Sequence, residues 1–127
     1  MKQSERRLSL DRLLMIMEAL RDPASGCPWD IKQSYETIVP FTIEEVYEVV
    51  DAIERGDYSE LKDELGDLLF QVVFYCQLAK EDGYFDFDDV LLSITDKLTR
   101  RHPHVFADKS YSSPEQVNLA WEKQKQK

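Results

Sequence analysis

Two short acidic runs are the residues with the clearest chemistry. The first is Glu44-Glu45-Val46-Tyr47-Glu48 and the second is Glu64-Leu65-Gly66-Asp67. Helical residues three and four apart share a face, so Glu45 and Glu48 project together, as do Glu64 and Asp67. If the two helices pack antiparallel, four carboxylates converge. Like charges at close range repel and raise one another's pKa. A hard divalent cation removes that penalty, and Mg²⁺ prefers oxygen ligands. Mg²⁺ usually takes only one or two carboxylates along with phosphate and water. Four acids therefore either hold more than one ion or leave some carboxylates to orient water.

A plainer reading competes with this one. Ile43, Val46, Val50 and Ile53 form one stripe of the first acidic helix, with Glu44, Glu45, Glu48 and Asp51 almost opposite. That pattern describes a solvated polar face. Thr42-x-x-Glu45 also fits a capping box at a helix start. The second acidic helix is different. Glu64, Asp67 and Gln71 occupy a narrow polar strip bordered by Phe74, Tyr75 and Leu78. Charges among large apolar groups are seldom simply solvated. Gly66 lies between the two acids, and a helical glycine costs ~1 kcal/mol against alanine. It suggests either a close backbone approach or ordinary helix packing.

Apolar spacing and breakers locate the elements that must position these acids. A first helix is expected from about Leu10 to Arg21, stopped by Pro23 and Gly26. Asp30 is a candidate cap for a short helix from about Ile31 to Ile38. The acidic helices follow, from about Phe41 to Arg55, ended by Gly56, and from about Ser59 to Glu81, ended by Gly83. A further helix runs from near Asp86 or Asp88 to Arg101. Ser113-Pro114 starts a last helix through Trp121. No alternating strand pattern occurs, so the expected fold is all-α, an antiparallel helical bundle with short loops. The helix from Ser59 is apolar on several sides. Leu61, Leu65, Leu68 and Val72 form one stripe, while Phe70, Val73 and Phe74 lie elsewhere on it. So few elements cannot cover such a helix, which predicts a homo-oligomer, with a dimer as the expected form.

The bulk properties narrow the class. The 127 residues suit one domain, taken as 1–127 with flexible ends at about 1–8 and 124–127. The net charge of −9 disfavours a duplex nucleic-acid binder, which would carry a basic patch. Residues 1–8 lack the apolar core of a signal peptide, and the apolar run from Leu68 to Ala79 is too short to span a bilayer. Two cysteines, Cys27 and Cys76, without a C-x-x-C, fit a reduced cytoplasmic protein and no membrane partner.

The acidic pattern sits within a longer resemblance. GCPWD at 26–30, EEVYEVVDAIERGD at 44–57, ELGDLLFQVVF at 64–74 and KLTRRHPHVF at 97–106 resemble the MazG nucleotide pyrophosphohydrolases, most closely the N-terminal domain of tandem MazG proteins. The likeness runs from about Leu10 to Lys123. It implies an all-α bundle completed by dimerisation and a Mg²⁺-dependent hydrolase, with Mn²⁺ as a possible substitute. In the implied reaction, water attacks the α-phosphorus of a nucleoside triphosphate and releases a monophosphate and pyrophosphate. The metal ligands would be Glu45, Glu48, Glu64 and Asp67. Glu44 would be a further ligand or the group that positions the water.

A triphosphate also needs positive charge. Lys97 and Arg101 share a helix face, with Arg100 adjacent, and the resemblance makes Lys97 and Arg101 phosphate ligands. The alternative is a basic last turn that complements the helix dipole. Trp29 either stacks on a base or packs a small loop core, and Lys32 is within a few residues as a phosphate contact. Trp121 divides between base contact and helix packing. For His102 and His104, capping or packing outweighs zinc, because neither cysteine has ligand spacing toward them. Some active relatives carry a lysine four residues before the E-x-x-D motif, where this chain has Glu60. The competing functional reading is therefore a catalytically silent dimerisation or regulatory domain.

Overall fold

The protein was described from a computed structural model covering residues 2–107 and 113–125, with the side chains of 124 and 125 left aside. Met1 and residues 126–127, part of the expected flexible ends, lie outside the described residues. The chain is helical, and no strand occurs among the described residues. The helices are α1 (Gln3–Leu20), α2 (Pro28–Ile31), α3 (Tyr35–Arg55), α4 (Tyr58–Glu81), α5 (Phe87–Arg101), α6 (Pro103–Phe106) and α7 (Pro114–Lys125). They form two compact units, one ending at Asp86 and the other beginning at Phe87.

The first unit is built on the α3–α4 hairpin. Gly56 ends α3 with φ 67°, the left-handed conformation glycine adopts without a Cβ clash. Asp57 then caps α4, its side chain accepting from the Glu60 amide. This two-residue turn makes the helices antiparallel neighbours. Met17 of α1, Ile38 and Ala52 of α3, and Val73, Phe74, Cys76, Leu78 and Ala79 of α4 are buried. The core therefore lies along the C-terminal half of α4. Lys80 and Glu18 pair at 3.4 Å between α4 and α1.

Three local expectations need correction. The short helix is Pro28–Ile31, not Ile31–Ile38, and Asp30 lies within it instead of capping it. The stretch from Tyr35 belongs to α3, which begins six residues before Phe41 and contains Pro40. Its start is a capping box between Ser34 and Thr37. The Thr37 amide donates to Ser34 Oγ, and the Ser34 amide donates to Thr37 Oγ1 at 2.7 Å. Thr42 is consequently inside the helix, and its hydroxyl serves the packing against α4. Pro40 forfeits one backbone bond near the start of α3, which this cap and the α4 contacts outweigh. Finally, a Cβ at Gly66 would meet nothing within 4 Å, so no close backbone approach occurs there within one chain.

The second unit contains α5, α6 and α7. Ser113 Oγ accepts from the Gln116 amide at the start of α7, as the Ser-Pro signal suggested. Trp121 Nε1 donates to the Arg101 carbonyl at the end of α5 (2.8 Å), and the His102 ring stands edge-on to Trp121 at 5.0 Å. His102 Nδ1 lies 2.6 Å from the Leu98 carbonyl, a capping role for this histidine.

The hairpin turn has a direct test. A Cβ at Gly56 has open space, so Gly56→Ala carries only the backbone penalty of a left-handed residue, roughly 1–2 kcal/mol. Urea denaturation should show that loss with an unchanged m-value, and Gly56→Asn should lose less.

Candidate metal centre

Two acids of α3, Glu45 and Glu48, approach the acids of α4. Ile38, Thr42, Glu45, Val49 and Ala52 recur at helical spacing, and each is buried or partly buried. Glu45 therefore lies on the packed side of α3. The stripe Ile43, Val46, Val50 and Ile53 is exposed, with Ile43 at 54% and Ile53 at 56%. The solvated-face reading of α3 holds for Glu44 and Asp51, which are exposed, and fails for Glu45 and Glu48, which meet the acids of α4, while the apolar stripe meets solvent in the single chain.

On α4 the strip Glu60, Glu64, Asp67, Gln71 and Tyr75 runs along the hairpin. At one end Thr42 Oγ1 lies 3.2 Å from the Ile38 carbonyl, 3.1 Å from Gln71 Oε1 and 2.6 Å from the Tyr75 hydroxyl. The single threonine proton goes to one of the first two acceptors, and Tyr75 donates to Thr42. One turn along α3, Glu45, Glu64 and Asp67 each bring a carboxylate oxygen within 4.8 Å of the other two. Glu48, Glu60 and Glu64 form an overlapping second group on the same criterion. All four carboxylates singled out for metal binding thus fall in one continuous acidic seam. Glu44 is exposed on α3, next to Glu45 but outside both groups.

Glu60 is the member that sequence reasoning did not place in the site. Its signal was available, since it stands one turn before Glu64 on the same face. It is also engaged by a cation of the chain. Arg55 pairs with Glu60 at 2.6 Å, with Asp51 at 2.9 Å and with Asp57 at 3.6 Å.

Arg55 neutralises only the Glu60 end of the seam, and the electrostatics at Glu45 are set by its burial and its acidic neighbours. Glu45 Oε1 is buried and meets no hydrogen-bond donor. Burial, then a hydrogen bond with Glu64 and the negative charges of Glu64, Asp67 and Glu48, push the Glu45 carboxyl up to about 7. A buried carboxylate oxygen without a donor is costly. A hard cation would satisfy it, and the donor set consists of oxygens alone, the preference of Mg²⁺, Mn²⁺ and Ca²⁺ over softer metals. These residues fit a divalent ion.

The remaining candidates are distributed over both units. Trp29, on α2, is 49% exposed, and its ring stands at 79° to that of Phe41, centroids 5.5 Å apart. It is no closed loop core. Lys32 is exposed immediately after α2. In the second unit Lys97 is partly buried, Arg100 pairs with Asp96 at 3.4 Å, and Arg101 Nε is buried without a hydrogen-bond partner. Trp121 uses its indole N–H on the α5 terminus.

The Glu45 shift makes a pH prediction for the metal-free protein. A carboxyl raised from its ordinary 4.5 to about 7 disfavours the folded state once it ionises. The penalty is absent below pH 4.5, grows between 4.5 and 7, and is complete above. Thermal melts in EDTA should therefore show Glu45→Gln gaining on the parent through that window and holding its advantage above it. Excess Mg²⁺ should narrow the gap at pH 8. A constant difference across the range would mean that Glu45 does not titrate there.

Comparison with known proteins agrees with this geometry. The MazG nucleotide pyrophosphohydrolase domain family matches residues 33–106, which include both acidic helices. A nucleoside triphosphate pyrophosphohydrolase of Escherichia coli K12 is 60% identical over 113 residues, covering 89% of this chain and 43% of that protein. A nucleoside triphosphate pyrophosphohydrolase/pyrophosphatase MazG of Thermotoga maritima is 48% identical over 120 residues, covering 92% of this chain and 46% of that protein. The chain thus spans less than half the length of these curated relatives. The crystal structure of a MazG-related protein from Thermotoga maritima superposes with a TM-score of 0.75 at 30% identity, over 92% of this chain and 99% of the other. With its acidic hairpin inside the matched region and its fold shared with a solved relative, this chain belongs to the MazG nucleotide pyrophosphohydrolase domain family.

Proposed function

We propose that the chain is a divalent-metal-dependent hydrolase domain that converts nucleoside triphosphates to nucleoside monophosphates and pyrophosphate. The observation that carries the reading is the acidic seam between α3 and α4, with the Glu45 oxygen at its packed side buried and without a donor. An acidic surface that served only solubility would face water. The names of the Escherichia coli and Thermotoga maritima relatives support the substrate class.

In this reading Glu45, Glu48, Glu64 and Asp67 hold Mg²⁺, with Mn²⁺ able to substitute. The bound metal supplies positive charge to the phosphoryl oxygens and lowers the pKa of water. Glu44, beside Glu45 on α3, orients the attacking water and takes its proton. Water adds at the α-phosphorus and the α–β anhydride bond breaks, so pyrophosphate leaves whole. Lys97 and Arg101, with Arg100, carry positive charge for the outer phosphates, and Lys32 adds a further contact. Trp29, and less directly Trp121, meet the base. The cytoplasm is the proposed compartment. No described helix is long and apolar enough to cross a membrane.

The reaction is tested by phosphorus NMR of the purified protein with Mg²⁺ and a panel of triphosphates. Monophosphate plus pyrophosphate is expected, and Glu48→Gln and Asp67→Asn should abolish turnover while circular dichroism stays unchanged. Diphosphate plus orthophosphate would overturn the chemistry. No turnover with either Mg²⁺ or Mn²⁺ would favour the silent dimerisation domain, a reading to which the Arg55–Glu60 pair at the former lysine position lends some support.

The exposed apolar face supports a homodimer. Ile43, Val46, Val50 and Ile53 on α3 adjoin Leu65, Leu69 and Val72 on α4, all of them exposed. A patch of this kind marks an association surface, and a second copy would bury it. Phe74, by contrast, is fully buried within one chain and belongs to its core. Val50→Glu should therefore turn a dimer into a folded monomer by light scattering. A parent that is monomeric at micromolar concentration would remove the interface.

A further inference from the structure

Arg21 stands at the end of α1, outside the acidic seam, and has more partners than any surface arginine needs. The two N–H groups of its Nη1 serve three backbone carbonyls, one proton being shared: those of Asp30 (2.6 Å), Ile31 (3.0 Å) and Gln33 (3.1 Å). Its other edge grips Glu81 at the end of α4, Nη2 to Oε1 at 2.5 Å and Nε to Oε2 at 3.0 Å. Its guanidinium carbon lies 5.8 Å from the centroid of the buried Phe74 ring. The side chain is only 10% exposed. The Glu81 hydrogen bond and charge, with the charges of Asp30 and Asp82, hold the guanidinium firmly protonated against the opposing effect of burial.

The three carbonyls belong to the end of α2 and the link into α3. A four-residue helix leaves its last carbonyls short of donors; of these three, only the Asp30 carbonyl also takes a long local bond from the Gln33 amide (3.3 Å), so an external donor is needed. Arg21 is that donor, with the fixed planar fork that lysine lacks. The other end of the link is closed by the Ser34–Thr37 capping box. Between them these two devices determine how α2 meets α3. That junction sets the Trp29 ring edge-on to Phe41, and Phe41 lies one helical turn before Glu45 on α3. Both rings are about half exposed, Phe41 at 43%. The result is an aromatic ledge beside the acidic seam, on an element with almost no stability of its own.

We propose that Arg21 is a positioning residue for nucleobase binding: by bonding the carbonyls of α2 and anchoring to Glu81, it holds Trp29 against Phe41 as a two-ring shelf for the base. This inference rests on the nucleotide reading above. Arg21 touches neither substrate nor metal and acts only through α2. With the two rings at 79°, a base stacks on the face of one and abuts the other, and any base is accepted because every base has a π-face. Phe41, which the sequence did not single out, becomes half of the base site.

The test separates the base from the phosphates. Steady-state kinetics are measured for the parent, Arg21→Lys and Glu81→Gln with the best triphosphate substrate, alongside inhibition by magnesium tripolyphosphate, which has no base. Arg21→Lys keeps the charge but loses the fork. It should raise the triphosphate KM roughly tenfold, the scale of a lost hydrogen bond to a charged group, with kcat little changed. The tripolyphosphate inhibition constant should not move. Glu81→Gln keeps the carbonyl bonds, loosens the anchor, and should shift KM in the same direction by less. Circular dichroism checks folding, and if Arg21→Lys does not fold, Glu81→Gln decides alone. An unchanged KM, or equal rises for triphosphate and tripolyphosphate, would overturn the shelf while leaving the hydrolase intact. A parent that turns over no triphosphate overturns the hydrolase and the shelf together.

Discussion

The organisation of the first unit follows from carboxylates packed between two helices. α3 turns Glu45 toward α4, where Glu64 and Asp67 already stand, and these negative charges with burial push the Glu45 carboxyl up. Such an arrangement is costly by burial and by mutual repulsion, so it persists only where tight packing elsewhere compensates. The compensation is visible at both ends of the seam. At the turn, Gly56 and the Asp57 cap hold the helices together, and Arg55 draws Asp51, Asp57 and Glu60 around itself. At the far end, Thr42, Gln71 and Tyr75 join the helices through hydroxyl and amide groups, and the buried side chains of α4 follow. The acids are thus suspended between a polar clamp and an apolar core.

That constraint also explains the exposed face. A helix has one circumference, and with Glu45 turned toward α4 the stripe Ile43, Val46, Val50 and Ile53 must point outward. The same holds for Leu65, Leu69 and Val72 of α4. The apolar surface is a geometric consequence of turning Glu45 toward α4, and it is the face on which the proposed dimer would form. Gly66 belongs on this account to the outer side of α4, where it has open space in the single chain.

The segment between α1 and α3 shows how a weak element is held. α2 has four residues and no side-chain cap at its start. Its orientation is imposed from outside by the Arg21 guanidinium, itself fastened to the end of α4 and lying against Phe74. The ends of α1 and α4, α2 and the start of α3 are therefore one mechanical unit. Asp30, the buried acid of this region, lies close enough to favour the Arg21 charge.

Much of this was legible in the amino-acid order. Helical spacing and the Gly and Ser-Pro breakers located most of the long helices, although α1 begins at Gln3 and not near Leu10, and the i, i+3 pairing of Glu45 with Glu48 and of Glu64 with Asp67 pointed to the acidic seam, because local periodicity depends only on neighbouring residues. The extent of α3 was not legible. Pro40 reads locally as a break, and only the Ser34–Thr37 cap and the packing of Thr42 show why the helix runs through it. Glu60 lay on the right face but looked like a departure from the family pattern, since its neighbours Glu48 and Arg55 approach it only across the hairpin. The direction of α3 could not be read at all. An amphipathic helix has the same periodicity whether its polar or apolar stripe faces inward, and the choice rests on the partner helix, whose own acids meet Glu45 only once the chain has folded.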